Sequence, residues 1–352
     1  MKKAKKLLSL ILVSILCLQY PIYTVSADTT INNIETNIEK RIEEQAPENV
    51  EIENVSVDIT TQEVTVDASL DESSVNLDIS LDPDTNYNQL TMTVNEDSAD
   101  ETYDVFFGSE EQKKLYDEAL EKDNKLLSEI ESTLPTEIIN NTIELDDSDN
   151  IITETVEEQL TGNELEIDKL INNESFVISD VTTLENTPVI LTNTQTNEDI
   201  VVESTDGVAS WAFAIPIGIV LSKALISSLL YWGSAVVIGG VLGIALSKVS
   251  TDSRVRNKNY SHYKVVEWSG KLFSTGGISQ KSAIARMAAN GNVWSTTKAK
   301  AKTVASSASL LKKGKKTPIG PEKDKGKSGY YMHYHTNPRS KSKGHSFYGT
   351  PS

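Results

Sequence analysis

The amino-acid sequence predicts a multidomain α+β protein. It reads as an acidic β-rich N-terminal domain, a hydrophobic helical segment or hairpin, and a small basic α+β C-terminal domain closed by a β-hairpin. Three observations predict this. Charge is divided between the two ends: residues 28–207 hold 47 Asp and Glu against 7 Lys and Arg, and residues 251–352 hold 20 Lys and Arg against 4 Asp and Glu. Between them, Val208 to Ser250 has no acidic residue and only two lysines, Lys223 and Lys248. Short alternating runs mark strands at both ends, while helical spacing is confined to a few longer stretches.

Residues 1–27 read as a secretory signal peptide. Lys2, Lys3, Lys5 and Lys6 precede an apolar run from Leu7 to Leu18, and Val25-Ser26-Ala27 is a small-x-small cleavage site. The run falls short of the roughly twenty residues that span a bilayer. Cys17, the only cysteine, lies inside it. The mature chain would have no thiol, which excludes disulfides, cysteine nucleophiles and Cys-ligated zinc.

Residues 28–207 form the expected acidic domain. Val55-Ser56-Val57-Asp58-Ile59, Val64-Thr65-Val66-Asp67-Ala68 and Val75-Asn76-Leu77-Asp78-Ile79 alternate apolar and polar residues, as half-buried antiparallel strands do. Asp82-Pro83-Asp84 supplies a turn. Glu110 to Thr133 reads as one helix, with Leu115, Ala119, Leu126, Leu127 and Ile130 at helical spacing. Phe176-Val177-Ile178 and Val189-Ile190-Leu191 suggest later strands. The carboxylates never take the spacing of an EF-hand loop and read as a solvated surface.

Residues 208–250 form the hydrophobic segment. Ala224 to Leu246 is uncharged for 23 residues, long enough to cross a bilayer core of about 30 Å. Gly239 and Gly243 have the G-x-x-x-G spacing of closely packed membrane helices. Three forms fit: a transmembrane anchor, a helical hairpin with Lys223 near its tip that inserts during delivery, or a buried core helix. Lys248, Arg254, Arg256 and Lys258 form a basic flank that would sit on the cytoplasmic side of a membrane.

Residues 254–352 form the basic domain and hold all four histidines. A strand is expected around His262 to Val266. Ser279 can cap a helix running to Ala289, ended by Asn290-Gly291, and Ser295 a second running to Lys313. The last segments, Gly329-Tyr330-Tyr331-Met332-His333-Tyr334-His335 and Gly344-His345-Ser346-Phe347-Tyr348-Gly349, read as a hairpin around Asn337-Pro338-Arg339-Ser340. In a strand His333 and His335 share one face with Tyr331, and His345 can join them from the partner strand.

Imidazoles titrate near neutrality and can serve as both base and acid. RNA carries its own nucleophile, the 2′-hydroxyl. A metal-independent ribonuclease needs a base, an acid and cations on the phosphate. His333, His335 and His345 fit the catalytic roles, with Arg339 and Lys327 on the phosphate and Tyr331 and Tyr348 against unstacked bases. The same three histidines also fit a site for zinc or another divalent metal. A third reading is a basic binding domain with incidental histidines. Gly326-Lys327-Ser328 is not the end of a P-loop, because Gly320 is one residue too far upstream.

The layout resembles a family of secreted toxins of Gram-positive bacteria, of the polymorphic-toxin kind. The residues that carry the resemblance are Ile215-Pro216-Ile217-Gly218, Val237-Ile238-Gly239-Gly240-Val241, the stretch Ala283 to Trp294, and the ending Gly-Tyr-Tyr-x-His-Tyr-His with His-Ser-Phe-Tyr-Gly. It covers residues 208–352. It implies interbacterial antagonism, a protective immunity protein and a C-terminal activity on nucleic acid, with His333, His335, His345, Tyr331 and Tyr348 as the matching positions. Ser346-Phe347 stands where the family often has Ile-Trp.

The expected protein is therefore a secreted toxin with a C-terminal nuclease module acting on RNA or another nucleic acid. It would meet a membrane through 208–250, with contact between its acidic and basic halves. The alternatives are a membrane-damaging toxin, or a surface protein anchored through 224–246 whose basic tail binds polyanions.

Overall fold

In the computed structural model, residues 40, 51–58, 63–70, 73–82, 89–96, 99–140, 164–171, 173, 176–202, 218–219, 222–223, 226–227, 229–230, 233–252, 255–256, 258–324, 328–339 and 344–352 are described. The signal-peptide reading, Lys327 and the opening of the hydrophobic segment at 208–217 lie outside them. The described residues form a mixed α+β structure with two sheets.

The first sheet is an antiparallel meander of seven strands. These are β1 (Glu51–Asp58), β2 (Glu63–Leu70), β3 (Ser73–Asp82), β4 (Gln89–Glu96), β5 (Ala99–Phe107), β7 (Val189–Asn193) and β8 (Asp199–Val202), in that spatial order. Alternation puts Val66, Leu77, Met92, Tyr103 and Leu191 on a buried side, while Asp67 and Asp78 stay half-exposed. At β5 and β7 both faces are covered, since Phe106 and Ile190 also pack against Tyr116 and Val241. Tyr116 comes from α1 (Glu110–Thr133), which starts at a capping box of Ser109 and Gln112. Short helices α2 (Thr136–Asn140), α3 (Glu166–Ile171) and α4 (Val181–Glu185) follow.

The second sheet has nine strands in the order β14-β15-β16-β13-β11-β12-β10-β9-β6. They are β6 (Val177–Ile178), β9 (Ala235–Ile238), β10 (Val241–Ala245), β11 (His262–Trp268), β12 (Lys271–Ile278), β13 (Asn292–Ser295), β14 (Ile319–Lys323), β15 (Met332–His335) and β16 (Ser346–Tyr348). All neighbours are antiparallel except β13 and β16, which run parallel with Trp294 opposite Phe347. Helix α5 (Leu246–Thr251) follows β10, α6 (Gln280–Ala288) links β12 to β13, and α7 (Lys298–Leu311) precedes β14. The cap of α7 is Thr297, not Ser295, because Ser295 is committed to β13 and to His262.

The hydrophobic segment departs from the helical expectation. Its described residues between 218 and 230 are helical, but Ala235–Ile238 and Val241–Ala245 are paired strands. Gly239 and Gly240, at φ 56° and 79°, make the two-residue turn between them. Gly239 and Gly243 thus do not form a helix face. The cause is side-chain chemistry: Val236, Val237, Ile238, Val241 and Ile244 are β-branched, and a fully apolar run fits a strand covered on both faces as well as a membrane helix. No helix among the described residues is long and apolar enough to cross a membrane. The turn abuts the first sheet, where a Cβ on Gly240 would lie 2.1 Å from the Phe106 ring.

Two features position the C-terminal strands. One is a core in which Ile130, Leu134, Ile138 and Leu165 pack with residues of α6 and α7, among them Ile284, Met287, Val304 and Leu311. The other is an ionic cluster. Buried Arg286 on α6 donates through Nη2 to both carboxylate oxygens of Asp168 (2.9 and 3.2 Å) and to the Val265 carbonyl, and through Nε to the Asn292 carbonyl at 2.9 Å. Nearby, buried Asp123 accepts from the backbone N–H groups of Glu166 and Ile167 at 2.7 and 3.1 Å. Burial raises its carboxyl above the ordinary range, against the pull of those bonds and of Arg286.

Candidate functional site

Alternation in β15 and β16 sorts the last aromatics onto two sides. Tyr334 and Tyr348 stack, with ring centres 5.8 Å apart, on the side of α6 and α7. Tyr331, His333, His335, His345 and Phe347 take the other. The register sets His333 opposite Phe347, and the three imidazole centres lie 4.6 to 4.8 Å apart. One ring nitrogen from each histidine lies within 4.8 Å of the others.

The histidines differ in access and in hydrogen bonding. His333 is 0% exposed, His335 7%, and His345 is half-buried. His333 Nδ1 is 3.3 Å from the Tyr331 carbonyl, and His345 Nδ1 is 3.0 Å from Asn292 Oδ1. Both partners are oxygens that only accept, so each Nδ1 is a donor. Asn292 Oδ1 also accepts from the His345 backbone N–H at 3.0 Å.

The Nε2 atoms of His333 and His335 are 3.1 Å apart. Glu322, on β14, brings Oε1 to 3.0 Å from His335 Nε2 and 3.7 Å from His333 Nε2. Asp324 Oδ1 is 3.8 Å from His333 Nε2. Arg339 donates to Glu322 Oε1. Burial, then the charge of Arg339 and the neighbouring His333, lower the pKa of His335 below that of a free histidine, outweighing the pull of Glu322. For Glu322 the modest burial pushes upward, but Arg339 and His335 together hold the carboxyl below its usual value.

The structure thus brings together His333, His335, His345 and Arg339. Tyr331 lies beside them but is buried, its hydroxyl 2.8 Å from Ser250 Oγ and its ring edge-on to Phe347. Tyr348 lies on the opposite side. Glu322 and Asn292 are the members that sequence reasoning missed. Glu322 stands two residues before Asp324 in a Lys-rich run with no strand signal, and Asn292 reads only as the end of a turn. A rule pairing every carboxylate near the hairpin with its histidines could have found Glu322.

His262 is separate. It is buried in β11, with Nδ1 2.9 Å from Ser295 Oγ, and burial followed by the Lys300 charge lowers its pKa to about 4. The unfolded chain binds that proton near 6.5, so stability is retained above that pH and falls as pH drops from 6.5 towards 4. The loss amounts to about 3 kcal/mol over the window. Urea midpoints across pH 4–7 should fall less steeply in His262→Asn than in wild type; equal slopes would refute the assignment.

Comparison of the chain with family models, with curated proteins and with solved structures returns no match.

Proposed function

We propose that the chain is an exported bacterial toxin, countered by an immunity protein, whose basic C-terminal part cleaves RNA at the histidine cluster. The observation that carries this reading is the convergence of three imidazoles with Arg339 on one sheet face, in a segment that is otherwise strongly basic. Transfer of the 2′-hydroxyl proton, departure of the 5′-oxygen and attraction of the phosphodiester need these groups. His345 is the most accessible of the three, and with Nδ1 held by Asn292 its Nε2 is the atom that takes the 2′-hydroxyl proton. Fully buried His333 positions the others. Tyr331 is buried and Tyr348 stacks on Tyr334 on the other side of the sheet, so base stacking is assigned to neither.

The test is incubation of the full chain with end-labelled RNA. Wild type should release fragments ending in 2′,3′-cyclic phosphate, and His345→Ala should cut the rate by about 10²–10³-fold. Intact RNA after long incubation with folded wild type would overturn the activity, and an unchanged His345→Ala rate would overturn the role.

A further inference from the structure

We infer that His333 Nε2, His335 Nε2 and Glu322 Oε1 form the binding site of one divalent transition-metal ion of the zinc class, with its fourth position open towards His345. Ligands about 2.0–2.1 Å from a tetrahedral zinc lie about 3.3 Å from one another. The three atoms named here are 3.1, 3.0 and 3.7 Å apart, a triangle of that size. Two imidazoles and a carboxylate with one open position form a recurrent catalytic zinc set. Imidazole donors argue against calcium or magnesium, which take oxygen.

The surroundings support the same assignment. Metal-ligating histidines donate the other ring N–H to an acceptor that fixes the tautomer. His333 does so to the Tyr331 carbonyl, which turns its Nε2 lone pair towards the triangle. Arg339 holds Glu322 from the solvent side, and the Glu322 side chain is 36% exposed, which leaves the ion a path in. His345 stays outside the triangle, with its Nδ1 tied to Asn292. The sequence allows a divalent metal on the three histidines; here Glu322 takes the place of His345 among the ligands, and the bound ion, in place of a second imidazole, would stabilise the departing 5′-oxygen. It deepens the RNA-cleaving reading and rests on it for the role of His345, although binding of the ion itself can be measured without RNA.

The experiment is titration of the chelator-stripped full chain with zinc by equilibrium dialysis and with cobalt(II) by absorption. Expected are one zinc per chain and the intense visible bands of four-coordinate cobalt. Glu322→Gln and His335→Gln should each weaken binding at least about 10-fold, with circular dichroism confirming the fold, and His345→Ala should keep the stoichiometry. Absence of zinc at severalfold excess, or unchanged affinity in both ligand variants, would overturn the site. RNA cleavage that persists in chelator without zinc binding would overturn the site alone. Zinc binding without RNA cleavage would support the site and overturn the nuclease reading alone.

Discussion

Arg286→Met is expected to destabilise the protein by about 3–5 kcal/mol, the range for breaking a buried ion pair by removing one partner. Arg286 is 6% exposed and makes four hydrogen bonds, to Asp168, Val265 and Asn292. Methionine matches its apolar stem but leaves the Val265 and Asn292 carbonyls without that donor. It also removes the cation that lowers the Asp123 pKa. Lys264, buried beside it, is held well below the usual lysine range, first by burial and then by the Arg286 charge. Lysine would not rescue the site, since one ammonium cannot stand both at Asp168, where Nη2 lies, and at the Asn292 carbonyl, which Nε reaches. Urea denaturation of both chains measures the difference, and a loss under about 1 kcal/mol would contradict a central role for the cluster.

A chain that begins at residue 254 is expected to lack a cooperative unfolding transition. It would carry the whole histidine cluster but lose Ile130, Leu134, Ile138 and Leu165 from the core around α6 and α7. Removing one buried aliphatic side chain costs about 2–5 kcal/mol. Four together exceed much of the 5–15 kcal/mol that holds a domain folded. The fragment should bind a hydrophobic dye and melt gradually, whereas the full chain should give a sharp transition. A sharp two-state transition in the fragment, at the midpoint of the full chain, would refute this. The acidic and basic halves therefore share apolar packing as well as opposite charge.

Much of the architecture can be read from local pattern, because alternation and capping act over a few residues. The strands at 63–70 and 73–82, the helix from Glu110 to Thr133 and the helix capped by Ser279 follow from spacing alone. The hairpin of β15 and β16 follows too, with His333 and His335 on one side. The stretch from Ala224 to Leu246 does not, since uninterrupted apolar residues lack a period and Gly239-Gly240 serves as turn chemistry as well as close-packing chemistry. The candidate site was half readable. The histidines lie close together in sequence, but Glu322 comes from the neighbouring strand and Asn292 from a strand about fifty residues earlier, and only the sheet order brings them in. Burial of Tyr331 also depends on a distant partner, Ser250.

β16 is an interior strand, held between β13 and β15. Its partner β13 is completed some fifty residues sooner and must wait beside an empty lane. During synthesis, residues up to His335 can emerge and His333 can approach His335 while His345 and Phe347 are still missing from the face. The histidine face is therefore complete only with β16 in place, since its one strand carries both the parallel pairing to β13 and the antiparallel pairing to β15.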